Sequence, residues 1–398
     1  MTDFSIPPEY QDQLEPIAVQ DHRTDEEILQ ALAQYAPVTS EKNIWAFWHS
    51  GLDKMPAWCQ RNVADWVRIC APGGWAVRVL DNLPESPNYA LRHVPADLLP
   101  EAFVGRDMDG PYVGPHSADF LRGACLVQHG GVFIDVGCVL LRDMDRIVWD
   151  KLEDPSSPYQ IAVPLMYNQI TANHFVAARK GDPFIKRWHE LFIHVWKGHK
   201  NHEGLIENPL VSFDTDKSFD QARASNFHWE FKVPPKTVME YITQVVAWQR
   251  LCMLEDAGDG FSCADYWSSN VFCIDVLQED WAAEDEVGFD GQELFDLLTM
   301  KRDTNDASEE QRKAEKLVWR LLGQASMQKV THGKGLMKGK ALGGLLDEEQ
   351  NIGKDRAAGT FAELLRYGSV HFRQKRTSIV QMAAEKPSQT LKKGVFEP

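Results

Sequence analysis

The core of the chain opens on an unbroken apolar run. Ile44, Trp45, Ala46, Phe47 and Trp48 are closed by His49, Ser50 and Gly51, the pattern of a buried strand. In PAWCQRNVADWVRIC the spacing changes: Trp58, Asn62, Trp66 and Ile69 fall on one face, which predicts a helix. WAVRVLD then predicts a second strand, and strand, helix and strand in this order make a βαβ unit of a parallel sheet.

Residues 82–116 are rich in Pro, Asn, Asp and Gly and read as an irregular connection. In SADFLRGACLVQHGG, Ser117 is placed to cap a helix, and Leu121, Ala124, Cys125 and Gln128 share its face. Gly130 or Gly131 can end it in the left-handed conformation. The strand that follows at once ends in Asp135, which puts a carboxylate at the strand end where open α/β sheets bind ligands. YQIAVPLM predicts another strand. DPFIKRWHELFIHVW predicts a helix capped by Asp182 with Pro183 at its first position, and KTVMEYITQVVAWQRLCML a further buried helix. Thr24 and Glu27 have capping-box spacing in the polar residues 1–40, and charged helices such as SEEQRKAEKLVWRLLGQA follow residue 290. The expected organisation is an N-terminal arm (1–40), an α/β domain with a mostly parallel central sheet (41–290) and a helical C-terminal region (291–398).

Composition narrows the possible partners. A formal charge of −16 disfavours nucleic acid, whose backbone calls for a dense basic surface. Seven cysteines without a CxxC pair fit reduced thiols in the cytoplasm rather than zinc or disulfide frameworks. The first residues lack a signal-peptide pattern, and no apolar run reaches the ~18 residues of a membrane helix.

Several residues are candidates for chemistry. Asp119 and Arg122 are three apart on the helix leading to FIDVG. They form either a surface ion pair or a crevice-facing pair in which Arg122 grips phosphate and Asp119 accepts from hydroxyls. Asp135 needs a partner at the end of an apolar strand, structural or functional. Asp143 and Asp145 spell D-x-D between Arg142 and Arg146, in what reads as a solvated turn. HGKGLMKGKALGG lacks Walker spacing, since Lys334 replaces a glycine and Ala341 follows Lys340; Lys329, Lys334, Lys338 and Lys340 form either a lid over a diphosphate or a solvated loop. His194, His199 and His202 read as surface histidines, with no carboxylate or Cys at ligand spacing.

SADFLRGACLVQHGGVFIDVG resembles the helix, Gly-Gly and strand signature of glycosyltransferases with the sugar-binding D-x-D region, close to S-D-x-x-R followed by Y-G-G-x-Y-x-D-x-D. IWAFWHSG, PAWCQRNV and NHFVAARKGDPF also resemble a fungal branch, the capsular-polysaccharide-synthesis-like glycosyltransferases. Its members include secondary-metabolite enzymes, one of which decorates a hopane-type triterpenoid. The resemblance implies a GT-A fold, with a Rossmann-like nucleotide-sugar domain. It also implies transfer of a hexose from a nucleoside-diphosphate sugar to a hydroxyl of a small molecule or glycan. Carried over by position, Asp119 and Asp135 become the catalytic carboxylates. Asp119, Arg122 and Asp135 become donor-binding; Trp48 and His49, and Lys338 and Lys340 of the lid, are further donor-binding candidates, and Asp135 and His371 are the expected ligands of Mn²⁺ or Mg²⁺. Gly137 stands at the second D-x-D carboxylate. The charge on the leaving diphosphate must then be met by a metal on Asp135, water and the diphosphate, or by Arg122, the Lys-rich loop and His371.

Two other readings compete. VFIDVGCVL resembles the aspartate-nucleophile strand of haloacid-dehalogenase-type phosphatases, which need an acid two residues later, where Gly137 stands. The loss of that carboxylate also fits a GT-A scaffold that binds a nucleotide or a partner protein without turnover.

Overall fold

The computed structural model describes residues 4–214, 229–302, 308–333 and 335–398. Its strands are β1 (Leu14–Pro16), β2 (Asn43–Phe47), β3 (Ala76–Leu80), β4 (Gly131–Ile134), β5 (Cys138–Leu140), β6 (Ile161–Met166), β7 (Ile170–Thr171), β8 (Phe175–Ala178), β9 (Val271–Asp275), β10 (Met327–Lys329), β11 (Phe372–Gln374) and β12 (Gln381–Met382). The main sheet has the order β12-β9-β6-β8-β4-β2-β3, with β7 on β6. β3, β2, β4, β6 and β9 run in one direction, because β8 is antiparallel to both β4 and β6. The sheet is therefore mostly parallel, with reversed strands at β7, β8 and β12.

Strand alternation sorts the core into two layers. Ile44, Ala46, Val132 and Ile134 point into one apolar cluster, while Trp45, Phe47 and Phe133 point into the other. With both faces covered, β2 is buried at all five positions, which is why four apolar residues in a row, Ile44 to Phe47, follow Asn43. One layer includes the helices α2 (Ala57–Cys70), α6 (Glu309–Gln324) and α7 (Phe361–His371). The other includes α3 (Val113–His129), α4 (Pro183–Val195) and α5 (Thr243–Met253).

The expected capping box at Thr24 and Glu27 opens α1 (Asp25–Leu32), and Asp182 caps α4 through the amides of Phe184 and Ile185. Three expectations are corrected. Ser117 is not a cap: α3 begins at Val113, with Pro115 in its first turn, where its missing N–H costs nothing. The helix expected over KTVMEYITQVVAWQRLCML breaks at Ile242 (φ −92°, ψ 23°), and the Thr243 hydroxyl donates to the Glu240 carbonyl at 2.7 Å. The C-terminal region is not a helical appendage. β10 pairs with β5, β12 joins the main sheet through β9, and β11 pairs with β1 of the arm. Helix α6 carries Ala314, Leu317, Val318, Leu321 and Leu322 on one face, and burying that face sews the region into the α2 side of the core.

Candidate active site

Helix α3 ends at two glycines with positive φ, 72° at Gly130 and 103° at Gly131. A Cβ on Gly131 would lie 2.4 Å from the Asn43 carbonyl oxygen, so only glycine lets β4 start against β2. β4 then delivers Asp135 to the carboxyl edge of the sheet, where its amide donates to the His174 carbonyl at 2.9 Å.

Asp119 and Arg122, one turn apart on α3, face this edge. Arg122 is 2% exposed, and its guanidinium donates through Nη1 to Asp119 Oδ1 and, at 2.6 Å, to Gln244 Oε1; through Nη2 it donates to Asp135 Oδ1 at 2.9 Å. It also lies over the Phe133 ring, 4.9 Å from the centroid. Gln244 donates to the Asp119 carbonyl at 2.6 Å, and Asn173 donates to Asp119 Oδ1 and Gln244 Oε1. Asp119 and Arg122 thus do form an ion pair, but a buried one coupled to Asp135 rather than a pair at the surface.

The second cation at Asp135 is Lys329, whose ammonium lies 2.8 Å from Oδ2. Burial by itself would raise the Asp135 carboxyl, but Lys329, Arg122 and His174 outweigh it and hold the group well below the usual carboxylate range. Burial likewise works against the Lys329 ammonium, and Asp135 overcomes it, raising that pKa. Lys329 is not part of a mobile loop: it is the last residue of β10, and its side chain is 8% exposed. Asp135 keeps 31% of its side chain open, so the carboxylate faces outward with a cation fixed on each oxygen.

The place of the second D-x-D carboxylate is occupied. A Cβ on Gly137 would lie 2.4 Å from Thr331 Oγ1 and 3.0 Å from Thr331 Cγ2, and the Val330 amide donates to the Gly137 carbonyl. Asp135 is therefore the one carboxylate on this motif that a divalent cation could meet, and both its oxygens are already engaged. This donor set does not fit a Mn²⁺ or Mg²⁺ site built on two carboxylates. Restoring the motif with Gly137→Asp is expected to destabilise the fold by about 1–3 kcal/mol through overpacking. Adding Thr331→Ala to it should recover most of the loss in a thermal or urea melt, and an equal loss in the double variant would rule out Thr331 as the obstacle.

The other candidates are placed as follows. Trp48 and His49 stand at the carboxyl end of β2, beside β4; His49 packs on the first turn of α3, where a Cβ on Gly114 would lie 3.8 Å from its own. Burial lowers the His49 pKa, although Asp81 opposes it. Lys338 and Lys340 are exposed and paired with Glu230 and Glu348 rather than with Asp135. Lys334 lies outside the described residues. His371 is not beside Asp135: it ends α7, with Nδ1 2.9 Å from the Tyr367 carbonyl oxygen and its ring stacked on Tyr367 at 3.9 Å. Asp145 binds Lys42 and the Trp75 indole, and Asp143 accepts from the Arg146 amide, so this literal D-x-D serves the fold. His202, expected at the surface, is buried against Tyr112 and His116, and His116 in turn reaches Asp119 Oδ2 at 3.4 Å. Sequence reasoning gave no role to Gln244 or to Asn173, although Asn173 opens the NHFVAARKGDPF stretch, and placed Lys329 in a loop; each reaches the site from a distant segment.

A fixed carboxylate at the carboxyl edge of an α/β sheet, flanked by buried cations, defines a class of site suited to polar, anionic ligands. Residues 19–205 match the capsular polysaccharide synthesis protein family. The chain is 52% identical to the probable glycosyltransferase FCK3 of Fusarium pseudograminearum, over 99% of each chain. It is 37% identical to the O-glycosyltransferase braB of Annulohypoxylon truncatum, covering 95% of this chain and 91% of the relative. It is also 37% identical to the O-glycosyltransferase PaGT of Phomopsis amygdali, covering 90% and 88%. Among solved structures, the PaToxG glycosyltransferase aligns with 57% of this chain and 93% of its own at 14% identity, with a TM-score of 0.29, too slight a likeness to bear on the fold. The chain belongs to the fungal capsular-polysaccharide-synthesis-like glycosyltransferases.

Proposed function

We propose that this glycosyltransferase moves a hexose from a nucleoside-diphosphate sugar to a hydroxyl acceptor, at the crevice centred on Asp135. The observation that carries the reading is the Asp135 carboxylate at the sheet edge, with Arg122 on one oxygen and Lys329 on the other. When the bond from the sugar's anomeric carbon to the diphosphate breaks, negative charge grows on the leaving oxygens. Preorganised cations in a site with little water stabilise that charge most strongly. Arg122 and Lys329 are those cations, while Asp119 and the open side of Asp135 accept hydroxyls of the donor. Two relatives named O-glycosyltransferases support transfer to oxygen.

The acceptor is an apolar metabolite such as a terpenoid. Tyr167, Ile170, Trp229, Phe231 and Phe289 pack against Met166, Val276 and Trp281 near the carboxyl end of β6, which supports an apolar neighbour for the donor site. Buried free thiols at Cys70, Cys125, Cys138, Cys252, Cys263 and Cys273 support a reducing, cytoplasmic setting for the enzyme.

Product formation from a panel of UDP- and GDP-sugars, with EDTA or with Mn²⁺, tests the reading. Turnover that persists in EDTA and is lost in Asp135→Asn supports it. A rate that falls to background in EDTA and returns with Mn²⁺ would make Asp135 a metal ligand, and nucleotide binding without turnover would favour the scaffold reading.

A further inference from the structure

Next to the Asp135–Lys329 pair lies a buried contact that the donor chemistry does not use. His174 Nε2 meets Asp280 Oδ2, and the two side chains are 5% and 0% exposed. Trp281 stacks on the His174 ring at 5.5 Å and fixes its plane.

The main chain links this contact to the site. The His174 carbonyl accepts the Asp135 amide at 2.9 Å, and the Asp280 carbonyl accepts the Lys329 amide at 2.9 Å. Four residues therefore close a ring: Asp135 to Lys329 by side chains, Lys329 to Asp280 by backbone, Asp280 to His174 by side chains, and His174 to Asp135 by backbone. They come from four segments that are distant in sequence, so nothing local holds their spacing.

The arrangement is costly for a fold. Asp280 Oδ1 is buried with no hydrogen-bond partner among the described residues, and a half-satisfied buried carboxylate is less favourable than an apolar pair of the same size. Cys138 brings its sulfur within 4.8 Å of the His174 and Asp280 ligand atoms, the spacing of a metal cluster. His174 and Asp280 are in direct contact with each other, and the Lys329 charge interacts with both Cys138 and Asp280. A hydrogen-bonded clasp fits these contacts better than a metal centre.

We propose that His174 and Asp280 are positioning residues whose side-chain contact fixes the spacing of the segments that carry Asp135 and Lys329. The proposal rests on the reading of Asp135 and Lys329 as the donor site. In kinetics run well below each variant's melting temperature, Asp280→Ala is expected to lose about tenfold in kcat, within the range of coupled neighbours. The acceptor KM should not change. Asp280→Asn keeps an oxygen for His174 and should restore kcat to within about threefold of the parent. If Asp280→Ala does not fold, His174→Phe removes the donor while keeping the stack on Trp281, and carries the same expectation.

Wild-type kcat per folded molecule in Asp280→Ala or His174→Phe, or equal losses in Asp280→Ala and Asp280→Asn, would overturn the clasp. So would one equivalent of zinc retained by the purified protein and lost in Asp280→Ala. Asp135→Asn assayed in parallel separates the two ideas: activity in that variant removes the donor-site reading, whereas its inactivity beside a fully active Asp280→Ala removes the clasp alone.

Discussion

Replacing Lys329 with Met is expected to reduce sugar transfer at least about a hundredfold, the scale of losing one preorganised charge-stabilising group. Met keeps the length and apolar stem of the side chain, so the backbone pairing of β10 with β5 can persist. What disappears is the ammonium on Asp135 Oδ2. The carboxylate still accepts from Arg122 and has 31% of its side chain in solvent, so the stability cost should fall at or below the low end of the ~3–5 kcal/mol for breaking a buried pair. A large kinetic loss with a modest melting shift is therefore the signature. Lys329→Met turnover within a few-fold of the parent would show that the charge on the leaving group is met elsewhere, with a metal the first alternative.

Arg122→Ala is expected to be the more destructive change, for the fold as well as the chemistry. The guanidinium serves Asp119, Gln244 and Asp135 at once from a position 2% exposed. Its removal leaves two carboxylates facing each other across a cavity, and Asn173 still reaches Asp119 and Gln244 but not Asp135. The cost should be about 3–5 kcal/mol, as for other buried pairs deprived of one partner, with transfer reduced to background. Arg122→Lys sharpens the test, since one ammonium cannot span the two Asp carboxylates and Gln244 as the planar fork does. Near-parental transfer and stability in the lysine variant would show that charge alone matters at this position.

The two predictions also show how much could be read from the chain. Arg122 was visible because it lies three residues from Asp119, and helical geometry turns local spacing into a shared face. The same logic placed Asp135 at the strand end, since the Gly-Gly stop and the apolar run leave β4 no other exit. Local spacing also misled. The literal D-x-D at Asp143 and Asp145, read as a solvated turn, is instead folded into a helical turn, where Asp145 binds Lys42 and the Trp75 indole. His371, carried over by resemblance, instead lies against Tyr367 one turn earlier on α7, and its carbonyl accepts the Ile17 amide of the N-terminal arm. Lys329 was grouped with the Gly/Lys-rich loop although it ends a strand, because a three-residue strand has too few positions to show alternation.

Sequence alone determined the parts whose causes are local: the alternation that divides the core, the caps of α1 and α4, the glycines that turn α3 into β4, and the carboxylate that follows. Tertiary structure decided what Asp135 is for. Its second counter-charge, Lys329, comes from 194 residues away, and a threonine fills the space that a second acid at Gly137 would need. Ion pairs and close contacts depend on position in space, and strands from both ends of the chain meet here only because the hydrophobic faces of α2 and α6 share one core.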